Sequence, residues 1–137
     1  MTTFALDLSK AIEKAKENAG LVIKKATFEL FRSVIEKSPV DTGRFRANWN
    51  VAVGSPDLST NKETDDSPRG EPSVQNMQKV VLNSKFIDQS IFLTNSLPYA
   101  NVLEEGRIDG VSGSVQAPQG MVRISIAEFN ANFGRYV

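Results

Sequence analysis

The sequence predicts an α+β fold, in which a long N-terminal helix and a C-terminal helix pack on a small antiparallel sheet. Apolar residues among the first 37 positions recur at spacings of three and four, which is typical of one buried helical face. Further along, two short segments have the pattern of strands, and a second amphipathic segment lies near the C-terminus. With 137 residues, 40% of them apolar, residues 1–137 are expected to form one domain.

The N-terminal helix is predicted from an apolar stripe. Its members are Leu8, Ile12, Ala15, Ala19, Val22, Ala26, Leu30 and Val34, widened by Ile23, Phe31 and Ile35. Asp7 or Ser9 is suited to cap the start of the helix. Pro39 disfavours helical backbone at the residue before it, so the helix should end near Lys37.

A helix over residues 8–37 would be about 45 Å long, whereas a globule of this chain length has a radius of gyration of only about 14 Å. Three arrangements are open. The helix breaks near Gly20, where glycine is unfavourable; it runs along the body and offers part of its stripe to a neighbouring subunit; or it packs wholly on its own sheet.

Two strands are predicted in the middle of the chain. Residues 45–53 form the first, because apolar residues alternate with polar or small ones from Trp49 to Val53, and Gly54 ends it. Residues 90–95 form the second.

Between the strands lies a long polar loop, at about residues 54–73. It holds three Pro, two Gly, four Ser and a single large apolar residue, Leu58. Because such a stretch buries too little surface to offset its ordering entropy, we expect it to be disordered in the free protein or ordered by a partner.

Two short helices are predicted around this second strand. The first covers the apolar residues from Val74 to Val81, and the second runs from Tyr99 to Glu105 and is closed by Gly106. A loop rich in Gly, Ser and Gln follows at 108–118.

The last segment fits two patterns. Val122, Ile124 and Ile126 alternate as in a strand, whereas the spacing that continues to Phe129 and Phe133 is helical. A proline at a suitable first turn, Pro118, and the run 127–131 favour the helix.

The composition excludes several kinds of chemistry. The chain has no Cys and no His, so a disulfide, a zinc–thiolate site, a cysteine nucleophile and a Ser-His-Asp triad are all ruled out. Sixteen basic residues balance sixteen acidic ones, so no net charge attracts the protein to nucleic acid. We expect no enzyme activity, no cofactor and no metal, and protein partners.

Membrane and export signals are not expected either. No stretch reaches the roughly 20 consecutive apolar residues that cross a bilayer. The N-terminus lacks a basic leader region and carries Asp7 early. The chain is therefore predicted to be soluble and made in the cytoplasm.

Three local motifs suggest alternative functions. Asp41-Thr42-Gly43 matches the active-site triplet of aspartic proteases, but it follows Ser38-Pro39 rather than an apolar strand, which argues against that reading. Glu104 and Glu105 are adjacent and point about 100° apart on a helix, so they cannot form an acid–base pair. The third motif is a basic cluster with interleaved aromatics that would bind DNA weakly at most; it comprises Arg32, Lys37, Arg44 and Arg46 with Phe45 and Trp49.

Two segments carry a family resemblance. Residues 38–49, Ser-Pro-Val-Asp-Thr-Gly-Arg-Phe-Arg-Ala-Asn-Trp, resemble the Pro-Val-Asp-Thr-Gly-Arg-Leu-Arg-x-Ser segment of tail-completion and head-tail joining proteins of long-tailed bacteriophages. That family includes proteins similar to minor tail protein Z of lambdoid phages. Residues 97–106, Leu-Pro-Tyr-Ala-Asn-Val-Leu-Glu-Glu-Gly, are similar to its second hallmark, Pro-Tyr-Ala-x-x-Leu-Glu-x-Gly. Residues 116–122 are similar to the start of the family's last helix.

The sequence also departs from the family pattern. Phe45 stands where Leu is usual, Asn48-Trp49 replaces a pair that contains Ser, and the 54–73 loop is longer. These departures affect the expected partner contacts more than the architecture.

The resemblance implies a structural virion protein at the head–tail junction, made in the bacterial cytoplasm. It would assemble as a homo-oligomeric ring, a hexamer being one candidate, around the DNA channel, where any contact with DNA would be loose and independent of sequence. Its partners would be the connector or head-completion protein and the tail terminator or tail-tube protein. A tail terminator that caps the tail tube is the alternative within the same virion.

On this reading, ten residues are candidates for structural or interface roles. Phe45, Trp49, Tyr99 and Leu103 would anchor the two segments against each other, although plain core packing is the simpler role for these side chains. Gly43 and Gly106 would set turns, and Arg44 would pair with Glu104 within or between subunits. The full set is Asp41, Thr42, Gly43, Arg44, Phe45, Trp49, Tyr99, Leu103, Glu104 and Gly106.

Overall fold

A computed structural model describes residues 2–84, 89–107 and 112–132, with side chains from Ala19 onward. Five helices and two strands lie within these ranges, in the order α1 (Thr2–Glu36), α2 (Arg44–Ala47), β1 (Asn50–Val53), α3 (Glu71–Asn83), β2 (Ile91–Thr94), α4 (Ala100–Glu105) and α5 (Val122–Asn132). The strands form one antiparallel pair. The predicted α+β class is thus confirmed.

Helix α1 buries the second half of its apolar stripe. Ala26, Phe31, Val34 and Ile35 are at most 9% exposed, whereas Ile23 is 45% exposed and does not widen the stripe as predicted. The helix ends at Glu36, just before Pro39, and Gly20 lies inside it. The predicted stripe residues Leu8, Ile12 and Ala15 have side chains outside the described part of the chain.

The predicted strand over residues 45–53 is wrong in its first half. Residues 44–47 form the short helix α2, and only Asn50–Val53 are extended. Local hydrogen bonds decide this, because the side chain of Asn48 donates to the carbonyl of Arg44 at 2.7 Å and its backbone N–H donates to Phe45. A polar side chain that bonds its own backbone competes with strand pairing.

Four further predicted elements are confirmed. Helix α3 covers the segment around Val74–Val81, β2 lies within residues 90–95, and α4 ends at Gly106 as expected. The last described segment is the helix α5, not a strand, and it packs on α1. Phe133 and residues 108–111 of the predicted loop lie outside the described residues.

The core consists of two adjoining clusters. In the first, Phe31 and Ile35 of α1 contact Met77 and Val81 of α3, and the inner face of the sheet packs against them. In the second, Val34 of α1 meets residues of the two motif segments and of the start of α5; its buried members are Val34, Phe45, Leu97, Ala117 and Met121. Trp49 and Leu93 touch both clusters. Within the described ranges, no helix is long and apolar enough to cross a membrane.

Candidate functional site

The structure brings the two motif segments together around Phe45. The Phe45 ring lies 5.6 Å from the Trp49 ring in an edge-on arrangement and 6.0 Å from the Tyr99 ring. Phe45 is only 5% exposed, and Leu103 packs against the same cluster. Side chains some fifty residues apart in the chain therefore form one aromatic contact, which stabilises the junction of the two segments.

A cleft of about 400 Å³ opens beside this junction. Its walls are Pro39, Val40, Asp41, Thr42, Gly43, Arg44, Phe45, Tyr99, Leu103, Ser114 and Gln116. Gln116 holds one wall in place, because its side chain accepts a hydrogen bond from the N–H of Val40 and donates one to the carbonyl of Val40, each at 2.8 Å. Asp41 and Thr42 are exposed at the rim. Seven of the ten candidate residues thus border one cleft.

Trp49 ties the first motif to the end of α1. Its indole N–H donates to the hydroxyl of Ser38 at 2.7 Å, and that hydroxyl donates to the carbonyl of Val34 at 2.9 Å. Ser38 is 4% exposed, so this chain of hydrogen bonds is shielded from water. Trp49 therefore has a polar partner as well as the packing role that the sequence suggested.

Gly43 occupies a position that another residue could not take without moving the backbone. Its φ is +89°, and a Cβ atom there would overlap the backbone of Asp65. Its carbonyl accepts hydrogen bonds from the N–H of Asp65 at 2.9 Å and of Ala47 at 3.1 Å. The predicted turn at Gly43 is thus also the place where the polar loop meets the first motif.

Asp65 is the centre of the polar loop, and sequence reasoning missed it. Its carboxylate accepts hydrogen bonds from the backbone N–H and the hydroxyl of both Ser67 and Ser73. Asp65 is 5% exposed, and the guanidinium of Arg46, itself 4% exposed, lies 3.9 Å away and donates to the carbonyl of Ser67. The sequence Asp65-Asp66-Ser67 is typical of a turn that is closed by a hydrogen bond to the Asp side chain, and this pattern could have identified Asp65.

Asn48 holds the same loop at a second point. It is fully buried; its side chain accepts from the N–H of Asn61 at 2.8 Å and donates to the carbonyl of Asn61 at 3.2 Å. Arg44 donates to that carbonyl as well, at 3.2 Å. The loop is thus bonded to the first motif within the chain, although its composition suggested disorder, and it ends at Gly70, where α3 begins.

The stability that this hydrogen-bond network contributes depends on pH, because Asp65 can be protonated. Burial raises the pKa of its carboxyl, but the hydrogen bonds from Ser67 and Ser73 lower it by more, so the pKa lies below its ordinary value of 3.8. The folded state therefore binds a proton less readily than the unfolded state. The stability contributed by Asp65 is present above the unfolded pKa and is lost as the pH falls through the lower folded-state value.

We expect the free energy of unfolding to decline as the pH is lowered from about 5 to about 3, with Asp65 responsible for part of the slope. Urea unfolding at several pH values in this range measures it. In Asp65→Asn the decline should be shallower. Asp57→Asn is the control: it removes an exposed carboxyl whose pKa is lowered by hydrogen bonds from Ser59, and it shows how much of the slope comes from a surface turn. An unchanged slope in Asp65→Asn would contradict the assignment.

Glu104 of the second motif caps helix α5. One carboxylate oxygen accepts from the N–H of Met121 at 3.0 Å and of Val122 at 2.7 Å, and the other accepts from the N–H of Arg123 at 3.0 Å. Three N–H groups without a partner inside the helix are satisfied in this way, and the negative charge lies at the positive end of the helix dipole. The side chain of Arg123 lies 3.4 Å from the same carboxylate.

The predicted pairing of Arg44 with Glu104 within the chain is therefore wrong. Glu104 is engaged by the start of α5, and Arg44 donates to Asn61 instead. The sequence could not show this, because capping of a helix by a carboxylate some twenty residues earlier depends on the path of the intervening loop.

Replacing Glu104 with alanine should lower the free energy of unfolding by about 1–2 kcal/mol, because the first N–H groups of α5 lose their acceptor. The neighbouring Glu105→Ala is the matched control: Glu105 is exposed, its backbone carbonyl accepts from Arg123, and its side chain makes no hydrogen bond or ion pair within the described residues. Urea unfolding and amide exchange at Val122 and Arg123 measure the effect. Equal costs for the two variants would contradict the capping role.

Gly106 closes α4 where two backbone segments touch. Its φ is +78°, and a Cβ atom there would overlap the carbonyl of Pro118. The next residue, Arg107, donates its backbone N–H to that carbonyl at 3.0 Å. The predicted turn at Gly106 thus sets the close approach between the second motif and the segment before α5.

The chemistry available around the cleft is limited. Asp41 is exposed, and Thr42 uses its hydroxyl to accept from the N–H of Arg44 at 3.3 Å. Arg46, one of the cations considered for DNA contact, is buried and engaged with the polar loop. In the described ranges, no three acidic residues come close enough to hold a metal ion.

Comparison of the chain with models of protein families, with curated proteins and with solved structures gives no match.

Proposed function

We propose that this protein is a structural subunit of a tailed bacteriophage, located at the neck of the virion. It forms a homo-oligomeric ring that completes the tail and joins it to the head, between the connector or head-completion protein and the tail terminator or tail-tube protein. A terminator ring that caps the tail tube is the alternative in the same virion.

The observation that carries this proposal is the junction of the two segments on which the family resemblance rests. Their hallmark residues are engaged with one another or with the rest of the fold: Phe45 contacts Tyr99, Gly43 meets the polar loop, and Glu104 caps α5. The shared aromatic contact and the shared cleft support the proposal, because they join the two segments into one structural unit.

The use of these residues also favours a structural role over the alternatives. A protease of the aspartic type requires two carboxylates that share a proton, whereas Asp41 lies at an exposed rim. A DNA-binding module built on Arg44 and Arg46 would need both cations at the surface, and Arg46 is 4% exposed. A structural role in assembly requires neither paired catalytic carboxylates nor an exposed cluster of cations.

Native mass spectrometry with negative-stain electron microscopy tests the proposal. The purified protein is measured alone and mixed with the connector, terminator and tail-tube proteins of the same genome. A closed ring of defined copy number, formed alone or on addition of one of these proteins, is the expected result. A chain that stays monomeric in every mixture, or that cleaves a protein substrate unless Asp41 is changed to Asn, would contradict it.

A further inference from the structure

The cleft beside Phe45 contains a cation without an acidic partner. Arg44 lines this cleft and is half-buried, and its Nε donates to the carbonyl of Asn61 at 3.2 Å. Among the side chains that the structure describes, none accepts a hydrogen bond from the two terminal nitrogens of Arg44, and no carboxylate forms an ion pair with them. Arg44 therefore has room for a carboxylate that the described residues do not supply.

Other arginines of the chain do have such a partner. Three of them pair with a carboxylate of the described residues: Arg32 with Glu29, Arg46 with Asp65, and Arg123 with Glu104. A guanidinium that is partly removed from water is stabilised by a carboxylate, whose two oxygens match its N–H groups. Arg44 has the same requirement, and its place in a cleft leaves the pairing position accessible to another molecule.

The position of the Arg44 side chain is fixed from two sides. Its backbone N–H donates to the hydroxyl of Thr42 at 3.3 Å, and its Nε is bonded to the polar loop at Asn61. The edge of the guanidinium that remains is the one formed by the two terminal nitrogens. That edge can bind a carboxylate with two parallel hydrogen bonds.

The other walls of the cleft define what accompanies the carboxylate. Tyr99 is 40% exposed and Leu103 is half-buried, so both offer apolar surface next to the buried ring of Phe45. Asp41 is exposed at the rim and adds a negative charge. The cleft thus combines one cation, an apolar wall and one anion, in a volume of about 400 Å³ that is typical of ligand sites.

We propose that this cleft binds an acidic segment of a partner protein. An Asp or Glu of that segment pairs with the terminal nitrogens of Arg44, and an apolar side chain next to it packs on Tyr99 and Leu103. A phosphate group fits less well, because the cleft supplies a single arginine and carries the carboxylate of Asp41 at its rim. The inference goes beyond the neck assignment, since it concerns binding by one chain and does not require a ring.

A titration of the unaltered full-length protein tests the site. The probes are two short peptides, N-acetyl-Glu-Leu-amide and the neutral N-acetyl-Gln-Leu-amide, added to ¹⁵N-labelled protein and followed by the backbone amide shifts. The acidic peptide should shift the amides of Arg44, Tyr99 and Leu103. It should bind about tenfold more tightly than the neutral peptide, because only a carboxylate can pair with Arg44.

Two variants assign the charge effect to Arg44. Arg44→Gln removes the cation but keeps a donor for the carbonyl of Asn61, and it should weaken binding of the acidic peptide about tenfold. Arg69→Gln is the matched control, because Arg69 is exposed and lies outside the cleft, and it should leave binding unchanged. Urea unfolding shows whether each variant is folded, and the comparison of the two peptides on the unaltered chain needs neither of them.

Three results would overturn the inference: equal affinity for the two peptides, unchanged affinity in a folded Arg44→Gln, or no shift of the cleft amides at millimolar peptide. Inorganic phosphate that shifts the same amides and binds more tightly than the acidic peptide would overturn the choice of a protein segment. Each of these results leaves the neck assignment standing, because that assignment is tested by ring formation. A chain that binds the acidic peptide and forms no ring overturns the neck assignment alone.

Discussion

Asp65→Ala is expected to lower the free energy of unfolding by about 3–5 kcal/mol, the largest effect we predict for a polar residue in this protein. The substitution leaves the buried guanidinium of Arg46 without its carboxylate partner, at a position that is only 4% exposed. It also removes the acceptor of four hydrogen bonds from Ser67 and Ser73. Urea unfolding followed by circular dichroism measures the loss.

A double-mutant cycle separates the charge pair from the rest of the network. Arg46→Met should also be destabilising, but Arg46→Met combined with Asp65→Leu should cost clearly less than the sum of the single changes, because no unpaired charge remains buried. Strict additivity, or a cost below about 1 kcal/mol for Asp65→Ala, would show that the buried pair does not hold the loop.

Phe45→Ala should cost about 3–5 kcal/mol, the usual range for truncating a buried aromatic side chain. Phe45 is 5% exposed and contacts the rings of Trp49 and Tyr99, so a cavity would open where the two motif segments meet. Near-ultraviolet circular dichroism, which reports the packing of Trp49, should lose intensity along with the stability measured in urea.

Phe45→Leu is the matched control, because leucine is the residue that the family pattern has at this position. It keeps an apolar side chain of similar reach and should cost less than about 1.5 kcal/mol. Nearly equal losses for the alanine and leucine variants would mean that the ring contacts, rather than the filled volume, stabilise the junction.

The sequence predicted those elements whose cause is local. The spacing of apolar residues located the second half of α1, helix α3 and helix α5, and Gly106 marked the end of α4. The strand over 45–53 failed in its first half because the side chain of Asn48 closes a helical turn on Arg44, an interaction that an alternating pattern cannot show.

In the candidate site, too, some contacts were predictable from the sequence and others were not. The aromatic contact between Phe45 and Tyr99 joins residues that the motifs themselves singled out. The partners of Arg46 and Glu104 were not predictable, because Asp65 and the start of α5 reach them through loops whose paths depend on the whole fold. Low hydrophobicity suggested disorder at 54–73, whereas in the structure the buried carboxylate of Asp65 accepts four hydrogen bonds that connect this loop to the start of α3.

The hydrogen bonds of Asp65 also affect how this part of the molecule unfolds. Its carboxylate bonds Ser67 in the loop and Ser73 in the first turn of α3, while its backbone N–H is bonded to Gly43 beside the cleft. These three segments cannot separate one at a time without leaving buried groups unpaired. We therefore expect the loop, the start of α3 and the cleft wall to open together, and a molecule bound in the cleft to slow the opening of a loop that it does not contact.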